Sequence, residues 1–265
     1  MLYIVGTPIG NLKELTPRAK EVLESVDYIA CEDTRTSGIL FAHYNIKKPT
    51  ISYHKFNENQ RLDKIVKDLK EGKDIALVSD AGMPGISDPG NILVNRLKEE
   101  NLDYTVISGP SALINGFILS GFSTPFTFIG FLPEKNKDKK ELLKEVSNYN
   151  STLIFYVASH DIKDFFETAL KELGDRNVCV VRELTKKFEE KVFTTLSLGY
   201  NSVEKGEFVV LIEKQENKQK DFENLTIEQH VKNYIERGMT KNEAIKQVAK
   251  DRNVKKNDIY KLFVD

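Results

Sequence analysis

The chain has 265 residues, of which 40% are hydrophobic and 30% are charged, and its formal net charge is −1. This length suggests one large or two modest domains, and the near-zero charge excludes a polyanion-binding coat over the whole surface. No stretch approaches the roughly 18 apolar residues that cross a bilayer, and the opening MLYIV is too short for a signal-peptide core, so we expect a cytoplasmic protein without membrane contact.

The first half of the chain alternates short apolar runs with amphipathic segments. The short runs predict buried strands, and the longer segments with an apolar stripe predict helices. This alternation is typical of an α/β fold with a mostly parallel sheet covered on both faces. The predicted strands are 2–5, 28–31, 50–53, 75–78 and 104–107, and the predicted helices are 16–25, 36–43, 60–71, 90–100 and 111–120.

The segment GFSTP at 121–125 interrupts this alternation, and we place a domain boundary there. We therefore expect an N-terminal α/β domain at 1–121 and a second α/β domain at 122–215. In the second domain the later strands follow one another without helices, which predicts a mixed sheet. Its predicted strands are 126–131, 152–157, 177–182, 191–195 and 207–213, and its predicted helices are 137–146 and 161–173.

The last part of the chain has a different character. Residues 216–223 are polar and predict a linker, and 224–265 predict a small helical extension. Thr240 and Glu243 fit a capping box at the start of one helix. Seven Lys and Arg residues against three Asp and Glu residues at 240–261 leave two interpretations open. The extension is either a helix-turn-helix-like unit with a basic face for phosphates, or a small packing or dimerisation lobe whose lysines are solvated.

The segment SDAGMPGISDPG at 79–90 carries the strongest single signal. It follows a buried-looking strand, and its three glycines allow the backbone to approach a ligand closely. Asp88 and Pro89 read as a helix start, with Asp88 as the N-cap and Pro89 at the first helical position. Ligands of open α/β sheets bind at the carboxyl ends of strands, so this loop is either a ligand loop or a tight turn.

The loops after the other predicted strands are also rich in polar and small residues. They contain GTPIGN, EDTR, HK and SGPSA, and GTPIGN matches neither GxGxxG nor GxxxxGK[ST], so nucleotide-phosphate binding of those kinds is not supported. Because five such loops share one edge of a sheet, a concave site along that edge becomes the leading hypothesis. Cys31 and Cys179 lie in apolar runs and predict reduced core thiols, and the four histidines show no metal-ligand spacing.

Five motifs, in this order, resemble the bacterial small-subunit (16S) ribosomal RNA cytidine 2′-O-methyltransferases of the tetrapyrrole methylase superfamily. They are GTPIGN, CEDTRTSG, SYHKFNE, VSDAGMPGISDPG and ISGPSALINGF, and the resemblance extends over essentially the whole chain. It implies two α/β domains with S-adenosylmethionine in the cleft between them, a small helical extension, and a homodimer.

The resemblance also implies which residues contact S-adenosylmethionine. Backbone groups freed in such loops can hold the two ends of the cofactor, and a carboxylate can favour its positive charge. The implied cofactor residues are Pro8, Asp80, Ala81, Gly82, Met83, Pro84, Ile86, Ser87, Ser108, Gly109, Pro110, Ser111, Ala112, Tyr156, Glu183 and Leu184.

Methyl transfer to a ribose hydroxyl needs alignment with the donor and a group that removes or stabilises the hydroxyl proton. The candidates are Glu32, Asp33, His54 and Lys55, and the sequence does not rank them. Arg35 is the expected clamp for a substrate phosphate, because its planar fork suits bidentate contact.

The expected partner is 16S ribosomal RNA, within the small ribosomal subunit. Two other functions remain open at this point: methylation of a tetrapyrrole precursor on the same fold, and a non-catalytic RNA-binding assembly factor. The EDTR and HK loops and the helical extension favour the ribosomal group over the tetrapyrrole enzymes.

Overall fold

The computed structural model describes residues 1–215 and 225–263. The chain divides into two compact units, residues 1–214 and 215–265. The larger unit holds two five-stranded sheets, and the described part of the smaller unit is helical. The predicted linker at 216–223 lies outside the described residues, and the domain boundary at 121/122 stays a prediction. In the described ranges, no helix has the length and apolar character that a membrane crossing needs.

The first sheet is wholly parallel, as the alternation of strands and helices predicts, with strand order β3-β2-β4-β1-β5. Its central strands are buried along their whole length, which is why they read as continuous apolar runs. The strands are β1 (Leu2–Val5), β2 (Tyr28–Cys31), β3 (Thr50–Ser52), β4 (Ile75–Val78) and β5 (Tyr104–Ile107), and the helices that follow them are α1 (Pro17–Ser25), α2 (Thr34–Tyr44), α3 (Glu58–Lys70), α4 (Asn91–Glu99) and α5 (Ala112–Ser120).

The start of α4 differs from the sequence prediction. Gly90, with φ +142°, is the N-cap, and the helix begins at Asn91. Asp88 is therefore not the N-cap and Pro89 is not the first helical residue, so that interpretation was wrong. Since Gly90 can adopt a φ that other residues avoid, the chain turns into the helix two residues later. The Asp88 carboxylate is left free to contact Ser79 instead.

The second sheet is mixed, as predicted, with strand order β6-β7-β10-β8-β9. Only β6 and β7 pair in parallel, and the other neighbours are antiparallel. Its elements are β6 (Phe126–Phe131), α6 (Asn136–Val146), β7 (Thr152–Ala158), α7 (Ile162–Leu173), β8 (Asn177–Arg182), β9 (Glu190–Thr195) and β10 (Glu207–Ile212).

Helix α5 connects the two sheets through its packing. It follows the last strand of the first sheet, yet its Leu113 and Phe117 join the apolar cluster that includes Val209 of β10. A Cβ on Gly116 would lie 3.0 Å from the Val209 side chain, so the helix and the strand approach closely at this point. The other face of the second sheet packs against α6 and α7 in a separate core. The second sheet is therefore covered on both faces.

The smaller unit contains α8 (Ile227–Glu236), α9 (Lys241–Asp251) and α10 (Lys256–Tyr260). The predicted capping box of Thr240 and Glu243 is confirmed at the start of α9, and a second one joins Thr226 and Gln229 at the start of α8. Val231, Ile245 and Ile259 are fully buried among the three helices. The helical character of the extension is thus confirmed.

Candidate functional site

The loops at the carboxyl edge of the first sheet pack tightly against one another. Thr7 after β1 and Gly82 after β4 exchange two backbone hydrogen bonds, of 2.9 and 3.1 Å. Gly82 has φ +80°, a conformation that a residue with a side chain rarely adopts. A Cβ on Gly109 would lie 2.7 Å from the backbone of Gly6, so the loop after β5 also touches the loop after β1. The three glycine-containing loops therefore form one rigid rim.

A cavity of about 450 Å³, here called the first pocket, lies between this rim and the second sheet. Its volume is within the range of pockets that bind small molecules. It is lined from the first sheet's side by Ile9, Ala81, Gly82, Met83, Ile86, Ser87, Asp88, Ser111 and Ala112, and from the other side by Phe131, Tyr156, Val157, Ala158, Ser159, Leu184, Gly206, Glu207, Phe208 and Val209.

Most of the residues that the sequence assigned to the cofactor line this pocket. They are Ala81, Gly82, Met83, Ile86, Ser87, Ser111, Ala112, Tyr156 and Leu184. Pro8 and Asp80 instead line an adjacent cavity of about 230 Å³, the second pocket. The remaining residues of the set line neither pocket: Pro84, Ser108, Gly109, Pro110 and Glu183. Their assignment to the cofactor stays a prediction.

Sequence reasoning missed several residues of the first pocket. Asp88 reads as a helix cap, although the loop that contains it carries the strongest ligand signal of the chain. Phe131, Glu207 and Phe208 come from the second sheet, at the end of β6 and the start of β10. An acidic residue at the start of a buried strand, as at Glu207, is the one signal that could have indicated this wall.

The charges of the first pocket suit a cationic ligand. Asp88 and Glu207 line it, and no Lys or Arg is among the lining residues that the structure describes, although Lys186 outside the lining pairs with Glu207 at 2.9 Å. Phe131 and Tyr156 stand at 5.6 Å between ring centroids and offer aromatic surface. A molecule that combines a flat aromatic ring with a positively charged centre would find a partner for each part here.

Three carboxylates lie together at the same edge: Glu32 after β2, and Asp80 and Asp88 in the loop after β4. The backbone N–H of Asp80 donates a hydrogen bond of 3.3 Å to Oε2 of Glu32. Burial raises the pKa of each of these carboxyl groups, and the negative charges of Asp88 and Asp80 raise the pKa of Glu32 further. None of the three forms a salt bridge within 1–215 or 225–263. Carboxylates with raised pKa values in a cleft are candidates for functional groups.

Asp33 and Arg35 are engaged with each other. The Asp33 carboxylate accepts the backbone N–H of Arg35 at 2.8 Å, as the N-cap of α2, and it pairs with the guanidinium at 2.6 Å. These hydrogen bonds lower the pKa of Asp33 to about 2. The Arg35 side chain is 90% exposed, so the guanidinium remains accessible from solvent. The carboxylate of Asp33 thus caps the helix and pairs with Arg35, and its catalytic role stays a prediction.

His54 and Lys55 follow β3 on the same edge. The electrostatic interaction of His54 with Glu32 lowers the pKa of that carboxyl group, which places the two side chains near each other. Nδ1 of His54 is buried, and it has no hydrogen-bond partner among the residues described. Lys55 is exposed. The structure therefore brings His54 towards the carboxylates and leaves Lys55 at the surface.

The described ranges contain no group of three or more His, Cys, Asp or Glu side chains arranged to hold a metal ion. The thiols of Cys31 and Cys179 are free and buried, as the apolar runs predict. Burial raises the pKa of both thiols to about 11, which leaves them protonated and unreactive.

The sequence pattern of one enzyme family matches most of the chain. The match to the tetrapyrrole (corrin/porphyrin) methylases covers residues 1–198. The chain belongs to this family. Tetrapyrrole methylases use S-adenosylmethionine, which carries an adenine ring and a sulfonium cation, and the first pocket offers aromatic surface and acidic side chains for these two parts.

Among the similar proteins are three named ribosomal RNA small subunit methyltransferase I. The protein from Bacillus subtilis (strain 168) is 42% identical over 99% of this chain and 94% of its own length. The protein from Mycoplasmopsis pulmonis is 48% identical over 79% of this chain and 96% of its own length. The protein from Synechocystis sp. is 38% identical over 100% and 98% of the two chains.

Solved structures with the same fold include the methyltransferase CobJ, with a TM-score of 0.62 and 15% identity over 80% of this chain and 93% of that one. The uroporphyrin-III-C-methyltransferase from Thermus thermophilus has a TM-score of 0.56 and 15% identity over 80% and 94% of the two chains. At 15% identity these two structures show a shared fold alone, and the tetrapyrrole methylase fold is confirmed.

Proposed function

We propose that this protein is an S-adenosylmethionine-dependent methyltransferase of small-subunit ribosomal RNA, and that the acceptor is the 2′-hydroxyl of a cytidine. The relatives named for small-subunit ribosomal RNA span nearly the whole chain and support the substrate class. The observation that carries the chemistry is the juxtaposition of the acidic first pocket with the carboxylates Glu32, Asp80 and Asp88. A donor site and a candidate base thus share one edge of the first sheet.

The first pocket supplies what the donor needs from this chain. Asp88 attracts positive charge, whereas Glu207 is paired with Lys186 at 2.9 Å, and Phe131 and Tyr156 offer aromatic surface to the adenine. When bound, S-adenosylmethionine supplies a methyl group on a sulfonium, which is already a strong electrophile. The protein's contribution is therefore to orient the acceptor, to exclude water and to take up a proton.

Glu32 is the residue that we assign to proton removal. Burial raises the pKa of Glu32, which makes its carboxylate a stronger base than that of an exposed glutamate. Asp33 is the weakest candidate, because the hydrogen bonds to Arg35 hold its pKa at about 2. His54 lies near Glu32, and its buried Nδ1, which has no hydrogen-bond partner among the residues described, is available to a group of the substrate. Lys55, at the surface, is assigned to contact with RNA.

Two regions are assigned to the RNA backbone. The exposed guanidinium of Arg35 stands at the carboxyl edge of the first sheet, and its planar fork suits a phosphate. Lys246 and Lys250 lie one turn apart on α9, so they present a basic stripe on the helical extension. Surface lysines of this kind contribute affinity that depends on salt rather than on sequence.

We also propose a cytoplasmic homodimer that acts on RNA within the small ribosomal subunit. Ile114 and Ile118 lie one turn apart on α5 and are 41% and 71% exposed, while Gly116 on the opposite side of that helix packs on the second sheet. An exposed apolar stripe on a packed helix favours a protein partner. Light scattering should show a dimer for the natural protein and a monomer for the Ile118→Asp variant.

The function is tested by incubating the protein with labelled S-adenosylmethionine and one of three acceptors: small ribosomal subunits, naked ribosomal RNA or a tetrapyrrole precursor. After alkaline hydrolysis of the RNA, label recovered in an alkali-resistant dinucleotide marks 2′-O-methylation of a ribose. Label in the tetrapyrrole alone would indicate the related small-molecule activity. No label in any acceptor, with RNA still bound, would indicate a non-catalytic assembly factor.

A further inference from the structure

The second pocket, of about 230 Å³, shares a wall with the first pocket. Ile9, Ala81 and Glu207 line both cavities. The second pocket opens at the first turns of α2 and along the loop after β1. A molecule held in it would therefore lie directly beside any ligand of the first pocket.

The lining of the second pocket combines apolar surface with hydroxyl groups. Pro8 and Ile39 are apolar, and Ile39 is 65% exposed at the rim. Thr7, Thr36 and Ser37, which carry hydroxyl groups, line the same cavity. An enzyme that extrudes a nucleotide from RNA needs this combination, because the base stacks on apolar surface while its edge and its sugar form hydrogen bonds.

Lys186 is the one cationic residue among those that line the second pocket in the described part of the chain. Its Nζ lies 3.0 Å from Oε1 of Glu183 and 2.9 Å from Oε2 of Glu207. Burial lowers the pKa of Lys186, but hydrogen bonds to Glu207 and Glu183 outweigh this effect and leave the pKa raised, so the ammonium is charged. The pocket therefore contains a fixed ammonium group beside the shared wall, together with the carboxylates of Asp80 and Glu207.

The backbone next to Lys186 has an unusual conformation, which places Lys186 at the second pocket. Glu183 and Thr185 have φ values of +51° and +65°, which residues with side chains seldom adopt. The Thr185 hydroxyl accepts a 3.1 Å hydrogen bond from the backbone N–H of Asn11, and a Cβ on Gly10 would lie 2.5 Å from the Lys186 side chain. Strained backbone of this kind persists where surrounding contacts hold it, and it clusters at ligand sites.

We propose that the second pocket binds the acceptor nucleotide after its extrusion from the RNA. The base lies against Ile39 and Pro8, and the N–H of Lys186 that is not engaged by Glu183 or Glu207 donates a hydrogen bond to an oxygen of the sugar. This inference rests on the proposed function and adds the place of the acceptor to it. The volume of the pocket is below the roughly 300–1,000 Å³ of sites for drug-sized ligands, so it suits one nucleotide better than a macrocycle of four pyrrole rings.

A fluorescent reporter tests occupation of the pocket directly. The chain contains no tryptophan, so a single introduced tryptophan reports on its own surroundings. Ile39→Trp places the reporter in the second pocket, and Gly38→Trp places it on the same helix, where an added Cβ meets no atom within 4 Å. Cytidine 5′-monophosphate should change the emission of Ile39→Trp in a saturable way and leave that of Gly38→Trp unchanged. Equal responses of the two variants, or none from either, would overturn the proposal.

A blocking variant tests whether the RNA uses the same pocket. Thr36→Trp should fill the cavity from α2 and lower kcat/KM for small-subunit RNA at least about 100-fold, since a misplaced acceptor loses alignment. Its donor affinity, measured by calorimetry, should stay within about twofold, which also shows that the protein is folded. Gly38→Trp is the matched control and should keep its activity.

Lys186→Met should raise KM for RNA about tenfold, and the neighbouring Lys187→Met should not. If the natural protein transfers no label to RNA, the proposed function fails. If the natural protein is active and Thr36→Trp is equally active, the proposed function stands and the acceptor pocket is wrong.

Discussion

The two ends of the first sheet hold carboxylates with opposite pKa shifts. At the carboxyl end, burial raises the pKa values of Glu32, Asp80 and Asp88, and no cationic side chain pairs with them in the described ranges. At the amino end, the buried Asp68 accepts hydrogen bonds from Tyr28 at 2.9 Å and from Lys73 at 2.6 Å.

Burial also acts to raise the pKa of Asp68, but the hydrogen bonds from Lys73, Tyr28 and Lys64 outweigh it and bring the pKa to about 2. The opposite pKa shifts at the two ends show that carboxylates serve two purposes in the first sheet. A carboxylate that the fold satisfies stabilises the fold, and a carboxylate that the fold leaves unpaired is available to a ligand or a proton.

The largest effect is expected at Glu32. Replacing Glu32 with Gln removes the proposed base and should lower kcat for methyl transfer about 100- to 10,000-fold, with donor affinity retained. Because the carboxylate must be deprotonated and its pKa is raised, the activity of the natural protein should fall on acidification at a higher pH than an ordinary glutamate would give. Single-turnover rates across pH measure both effects. Asp33→Asn is the comparison, and an equal loss there would remove the distinction between the two residues.

The next effect is expected on donor binding. Asp88→Asn removes a negative charge from the first pocket and should weaken the binding of S-adenosylmethionine about tenfold in calorimetry. Asp80→Ala should weaken it less, because Asp80 lines the second pocket. The affinity should also decline as the pH falls through the raised pKa of Asp88, since the protonated group no longer attracts a cation. Unchanged affinity in Asp80→Ala would remove that residue from the donor site.

At the amino end the expected change is in stability alone. Asp68 has a lowered pKa, so its contribution is complete above the unfolded value of 3.8 and is lost as the pH falls towards about 2. Asp68→Asn should reduce the free energy of unfolding by about 2 kcal/mol at neutral pH, and this difference should shrink in acid. Urea unfolding at several pH values measures it. A loss of methyl transfer in the folded variant would contradict the division between the two ends.

The smallest effect is expected from the helical extension. Lys246→Ala with Lys250→Ala should reduce the slope of log affinity for RNA against log salt by about two, because two phosphates are no longer neutralised. The matched control is Lys140→Ala with Lys144→Ala, since these two lysines are also one turn apart, on α6. Equal slopes for the two double variants would indicate that the lysines of α9 are solvated and do not contact RNA phosphates. Donor affinity should not change in either.

Much of the first sheet could be predicted from the sequence. The runs 28–31 and 75–78 are continuous apolar stretches because both faces of a parallel sheet are covered, and the turns after them are polar because they leave the core. The loop with Ala81, Gly82 and Met83 could be placed at the first pocket for the same reason. Such inferences succeed because a parallel sheet collects the ends of all its strands at one edge.

The other wall of the pocket could not be predicted in this way. Phe131 and Glu207 are far apart in the chain and reach the cavity through the pairing of β6, β7 and β10. The prediction for Asp88 was wrong because local signals for a helix cap resemble those for a ligand loop. The conformation of Gly90 decided between them.

The sequence by itself determined the alternation of strands and helices, the shared edge of polar loops and the two capping residues of α9, because these depend on local periodicity and hydrogen bonding. Only the tertiary structure decided which carboxylates are paired and which are not. A pKa shift depends on burial and on charges contributed by distant segments, and no local pattern encodes those distances.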